Sequence, residues 1–194
     1  MPSTNIFGLV EIYFSQKRII INKQLRPKQM KKLLLCLLVM ITSVTLMNAQ
    51  KTEFSKKALN AKLENTDGKK IKFQNILKEH KGKTTVVEVW ASWCGDCVKA
   101  MPKMKELQAN NPDVDYVFVS MDKTPEKWKA GIEKHQIKGD HYLGLDGMKG
   151  VWGTAIDLDW IPRYIVIDKK GKIILYRAIE TDFEQINDLL KSQK

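Results

Sequence analysis

Cys94 and Cys97, separated by Gly95 and Asp96, stand in the stretch VVEVWASWCGDCVKAMP at residues 86–102. Two cysteines at this spacing can exchange thiols with disulfides, supply half of a zinc site, or staple a short loop. The thiolate, not the thiol, attacks a disulfide. At a strand-to-helix junction the first cysteine lies at the helix N-terminus, where the dipole and free backbone N–H groups stabilise negative charge, so its pKa falls. The second lies one turn on, nearer the core, and can attack the first sulfur once a mixed disulfide has formed. On this reading Cys94 is the nucleophile and Cys97 the resolver. Zinc needs four ligands, and beyond the leader only His80, His135 and His141 accompany the pair, with no second CxxC and no HxxxH. No metal is therefore expected. A staple over two intervening residues constrains the unfolded chain little.

The elements around the cysteines have to place them. TTVVEVWA is largely apolar and rich in β-branched residues, which predicts a strand buried on both faces. A helix is expected from about Gly95 to Asn110, with Val98, Met101, Met104 and Leu107 on one face and a kink at Pro102. VDYVFVSMD reads as the next strand, and TPEKWKAGIEKH as a helix with Thr124 as N-cap and Pro125 first in the helix. The glycine-rich HYLGLDGMKGVWGTAI predicts a short strand and a short helix. RYIVID and KIILYRA form a hairpin around KKG, and TDFEQINDLLK ends the chain as a helix with a Thr181–Glu184 capping box. Upstream, ALNAKLENTDGKKIKF predicts a β-hairpin turning at Asp67-Gly68, followed by a short helical turn or loop in ILKEHKGK. The order hairpin, βαβα, ββα makes an α/β fold, a mixed central sheet with helices on both faces.

The chain has 194 residues and a formal net charge of +11. Seven of its 33 basic residues and one of its 22 acidic residues fall in residues 1–49, leaving 26 against 21 in the rest. The remaining lysines are scattered, for example Lys56, Lys78, Lys103, Lys127 and Lys172, and form no arginine-rich stripe, so no nucleic-acid partner is expected. MKKLLLCLLVMITSVTLMNAQ, from Met30, has a basic start at Lys31 and Lys32, an apolar run from Leu33 to about Met47, and a small residue at Ala49. Residues 30–49 thus read as a signal peptide or an uncleaved N-terminal membrane anchor. Residues 1–29 read as an upstream extension with Met30 as the true start, and 50–194 as the folded domain. Cys36 is an apolar filler of the leader. Export would place Cys94 and Cys97 in an oxidising compartment, where disulfides persist.

WASWCGDC, with Trp93 before the first cysteine, resembles the active site of the thioredoxin superfamily. Pro102 matches that family's helix-kinking proline, and WIPRYIVIDKKGKII resembles its cis-proline loop and the following hairpin. The exported N-terminus and the extra helix and strand between 124 and 150 are similar to the branch that includes TlpA, ResA and the cytochrome c maturation thioredoxins. The resemblance covers about residues 55–192 and implies a thioredoxin-like fold with an N-terminal β-hairpin and an inserted helix and strand. It implies a cis bond at Ile161-Pro162, with Ile161, Pro162 and Arg163 beside the sulfurs and open to pairing with an extended substrate segment. Trp93 would cover the disulfide or else pack in the core. Glu88, six residues before Cys94, matches a buried carboxylate of the family. In low dielectric it could take the proton from Cys97 during resolution, the alternative being a solvent-facing or lysine-paired residue.

Two departures matter. Gly-Asp stands between the cysteines where thioredoxins have Gly-Pro, and the charge of Asp96 should make the pair more reducing. Ala100 stands where ResA-like reductases carry a glutamate, which argues against a dedicated cytochrome c maturation role. The expectation is an exported thiol–disulfide reductase in the periplasm or on the outside of the inner membrane. It would need no cofactor, would act on disulfide-containing proteins, and would draw electrons from a membrane dithiol donor. The rivals are a cytochrome c maturation thioredoxin, a thiol peroxidase and a redox-silent binding module. Ala91 and Val87 stand where a peroxiredoxin needs Thr and Pro. A silent binder has no use for both sulfurs.

Overall fold

The structure, a computed structural model, describes Lys31 and residues 50–193. The upstream extension 1–29 and, Lys31 aside, the leader 30–49 with Cys36 lie outside the described residues.

Strand β3 (Thr85–Trp90) runs through the middle of the sheet, and all six of its residues are buried. Its Val, Thr and Trp side chains suit a strand covered on both faces. It pairs in parallel with β4 (Asp115–Ser120) and antiparallel with β6 (Arg163–Ile167), and this register sets Glu88 between Phe118 and Tyr164. Beyond β4 lie β5 (Asp140–Gly144) and the hairpin of β1 (Lys62–Asn65) with β2 (Lys70–Lys72). Beyond β6 lies β7 (Ile173–Ala178), which gives a seven-stranded mixed sheet in the order β2-β1-β5-β4-β3-β6-β7.

Helix α3 (Gly95–Asn110) joins β3 to β4, and α4 (Pro125–His135) joins β4 to β5, two crossovers in one direction. Right-handed connection places both helices on the same face. The Tyr116 hydroxyl donates to the Leu107 carbonyl of α3 at 3.2 Å. A Cβ added to Gly131 of α4 would lie 3.2 Å from the Trp90 ring. The C-terminal helix α6 (Phe183–Ser192) joins this face, its Phe183 ring 5.1 Å from Tyr164. Helix α2 (Phe73–Glu79) connects β2 to β3 in the opposite direction and so covers the other face. There Phe73 meets Trp152 of α5 (Val151–Ala155) at 5.1 Å, and α1 (Lys56–Asn60) packs against both helices.

The expected elements are present with local corrections. The hairpin is shorter than its pattern, because Ser55 caps a helical turn that takes up Ala58–Asn60. Gly68 supplies the turn with φ +81°. The first half of ILKEHKGK, Ile76–Glu79, ends a true helix, α2, that starts already at Phe73, and the second half is a turn into β3. α3 runs through Pro102 without a break. Thr124 and Pro125 open α4 as expected. The Thr181–Glu184 capping box does not form: Asp182 is the N-cap of α6, and its carboxylate instead accepts from the Ile179 N–H at 2.9 Å.

Candidate active site

Cys94 is the N-cap of α3, and its sulfur accepts the Cys97 N–H at 3.2 Å. The helix that points at it is 16 residues long, so its positive end bears on the sulfur. Cys94 and Cys97 are joined as a disulfide with Cα atoms 5.3 Å apart. Cys94 is 6% exposed and Cys97 not at all. Only the first sulfur can be met from outside, which is the asymmetry expected of a nucleophile and a resolver.

The loop before β6 comes up against this sulfur. Ile161-Pro162 is a cis bond, and the Ile161 carbonyl lies 3.6 Å from the Cys94 Sγ. Arg163 is held by the loop itself. Its guanidinium donates to the Pro162 carbonyl at 3.3 Å and to Asp159 at 3.1 Å, and Arg177 of β7 pairs with the same carboxylate. Burial pushes the Asp159 carboxyl up, but its own backbone N–H and the two arginines outweigh that and hold it below its ordinary value. Arg163 therefore buttresses the loop.

Two tryptophans adjoin the site in sequence, one before Cys94 and one before Ile161. Trp93 is 59% exposed and Trp160, which precedes Ile161, is 58% exposed. Packing of Trp93 in the core is thereby overturned. Beside Trp93 opens a cleft of about 540 Å³ lined by Leu143 of β5 and by Met121, Lys123, Met148 and Lys149 from the segments after β4 and β5.

Glu88 is 1% exposed, so neither a solvent-facing carboxylate nor one paired with a surface lysine fits. Among the described residues neither of its oxygens has a hydrogen-bond partner. Burial pushes its carboxyl up to about 8, and the phenol of Tyr164 pulls weakly the other way. That phenol is the cross-strand neighbour, close enough to act but outside hydrogen-bond geometry. Asp96 is half-exposed and has Lys99 at 3.8 Å, so its charge is partly offset. Ala100 is buried in α3.

Asp122 and Trp160 are not singled out by the sequence. Asp122, just past β4, is 2% exposed and gathers hydrogen bonds from Ser92 and Ser120. An aspartate in SMDKTPE, ahead of a helix, reads as an ordinary loop residue. Only the fold reveals that it lies behind Ser92. Trp160 had a signal, its place before Ile-Pro, but no pattern showed it exposed.

The family model described as Redoxin matches residues 50–190. The thiol-disulfide oxidoreductase ResA of Bacillus thuringiensis subsp. konkukian is 31% identical over 144 residues, which cover 73% of this chain and 79% of that protein. The solution structure of a putative thiol-disulfide oxidoreductase from Bacteroides vulgatus is 31% identical, with a TM-score of 0.56 over 70% of this chain and 89% of that one. A C-terminal domain of a putative thiol-disulfide oxidoreductase from Bacteroides thetaiotaomicron shares the fold, with a TM-score of 0.59 at 18% identity, over 74% of this chain and 98% of that domain.

Proposed function

The chain belongs to the Redoxin family, and on that premise we propose that it is an exported reductase of protein disulfides, with Cys94 attacking, Cys97 resolving and Glu88 carrying the proton. It is a thioredoxin-like thiol–disulfide oxidoreductase. The observations that carry the finer reading are a fully shielded Cys97 in the helix that follows β3 and a carboxyl buried in β3 with no hydrogen-bond partner among the described residues.

The Cys94 thiolate attacks one sulfur of the substrate disulfide. A mixed disulfide forms, and the first substrate sulfur leaves as a thiolate. Cys97 loses its proton to Glu88 and attacks the Cys94 sulfur, expelling the second substrate thiolate. Two electrons pass to the substrate, and its two thiolates take up protons. A carboxyl held near 8 matches a thiol far better than an ordinary glutamate, so the transfer is close to balanced. Trp93 and Trp160 form the apolar rim on which the substrate segment lies. The Ile161 carbonyl, on the edge of the same loop, offers it a backbone contact.

The reducing direction is supported by Asp96, whose charge opposes the thiolate. Ala100 at the place of the ResA-like glutamate favours a broad reductase over a cytochrome c maturation factor. The leader-like residues 30–49 support a site in the periplasm or on the outside of the inner membrane, with a membrane dithiol as the electron source.

Trapping tests the roles. The Cys97→Ser protein, mixed with a disulfide-bonded protein such as insulin, should accumulate a mixed disulfide mapped by mass to Cys94. An adduct absent in Cys97→Ser but present on Cys97 in Cys94→Ser reverses the assignment.

A further inference from the structure

The reaction as described gives Asp122 no task, yet its surroundings are closely built. Its Oδ2 accepts the Ser92 N–H at 2.9 Å and the Ser120 hydroxyl at 2.7 Å, and its Oδ1 accepts the Ser92 hydroxyl at 2.7 Å. Its own N–H donates to the Ser120 oxygen at 2.9 Å. Every group that points at the carboxyl is a donor, which is the pattern of an ionised carboxylate.

The place it grips is the turn that delivers the nucleophile. The Cys94 N–H donates to the Ala91 carbonyl at 3.1 Å, which makes Ser92 and Trp93 the two central residues of a turn. Ser92 has no room to retreat, since a Cβ on Gly131 would lie 2.7 Å from its own Cβ. One buried carboxylate therefore holds the turn through both the N–H and the hydroxyl of Ser92. If packing alone were needed, a neutral side chain would serve without the cost of a buried charge. A fixed negative charge in low dielectric, bound to Ser92 two residues before the sulfur-bearing one, also opposes a thiolate there. The disulfide carries no charge and is not opposed.

We propose that Asp122 is a positioning residue that sets the redox equilibrium of the Cys94–Cys97 pair, holding the Ser92 turn and favouring the disulfide over the dithiol. The pair thereby gives up two electrons and two protons more readily. The inference rests on Cys94 being the sulfur that carries the thiolate.

The test is the equilibrium of the full-length protein with glutathione, in which two glutathione thiols reduce the disulfide and one glutathione disulfide forms. In Asp122→Asn the equilibrium constant should move toward the dithiol by about three- to tenfold. Ser120→Ala removes one donor and keeps the charge, so it should move the equilibrium the other way, toward the disulfide. It also serves alone if Asp122→Asn does not fold. A folded Asp122→Asn with lowered thermal stability and an equilibrium that is unmoved or moves toward the disulfide overturns the proposal, as does a Ser120→Ala equilibrium that is unmoved or moves toward the dithiol where that variant stands alone. The equilibrium belongs to the pair and is read whichever sulfur attacks. Brief alkylation of the reduced protein, mapped by mass, reports separately whether Cys94 is the reactive thiol.

Discussion

Glu88 and Asp122 are both buried carboxyl groups, one in the middle of β3, the strand that leads to Cys94, and one just beyond β4. Their surroundings are opposite. Asp122 receives three hydrogen bonds, while Glu88 receives none among the described residues and is pushed up to about 8. A carboxylate surrounded by donors is stable as a charge and can shape the chain around it. A carboxyl left bare ionises only toward pH 8, and its ionised fraction can take a proton from a thiol. One grips the chain around it, and the other can exchange a proton.

The largest effect that could break this contrast is on stability. Glu88 binds its proton more tightly folded than unfolded, so it costs nothing below pH 4.5, destabilises progressively as pH rises, and levels off above about 8. The oxidised wild type should therefore lose up to about 4–5 kcal/mol across that window relative to Glu88→Gln. Urea unfolding at pH 5 and pH 8.5 measures it, and parallel pH profiles for the two proteins would remove the bare-carboxyl reading.

Next comes the rate of resolution. In single-turnover reduction of a disulfide substrate, Glu88→Gln should slow decay of the mixed disulfide by about ten- to a hundredfold. It should also lose the pH dependence near 8, whereas Asp122→Asn keeps that dependence. A pH dependence that survives in Glu88→Gln takes the proton-carrier role away from Glu88.

Gly131→Ala sharpens the other half of the comparison. The added methyl meets Ser92, so thermal or urea unfolding should show a loss of about 1–3 kcal/mol. The glutathione equilibrium should move with it, since the turn held by Asp122 is displaced. An equilibrium that stays put would detach the turn from the redox couple.

The smallest effect belongs to Asp96. It is half-exposed and offset by Lys99, so Asp96→Asn should move the equilibrium toward the dithiol by no more than about twofold, less than the buried Asp122. A larger shift than that of Asp122→Asn would make the intervening dipeptide, not β4, the main control of the pair.

Much of this was legible in residues 86–102. The run VVEVW carries the β-branched signature of a central strand, and the helix after Cys94 runs over the range its apolar spacing marks. The hairpin and α6 were less so. Ser55 nucleates a helical turn inside an alternating pattern, and Asp182, not Thr181, takes the cap position, its side chain reaching back to Ile179. Glu88 could be picked out by its distance from Cys94, but its lack of partners depends on Phe118 and Tyr164 standing opposite it. Asp122 could not be picked out. Its partner Ser92 lies 30 residues away, and nothing in either local pattern encodes their meeting.

The central claim, that this pair donates electrons, is tested most directly by the equilibrium reduction potential of Cys94 and Cys97. The account predicts about −250 mV or below, the range of thioredoxin-type reductants. A value near about −120 mV, that of a strong oxidant, would contradict it and with it the assigned effects of Asp96 and Asp122.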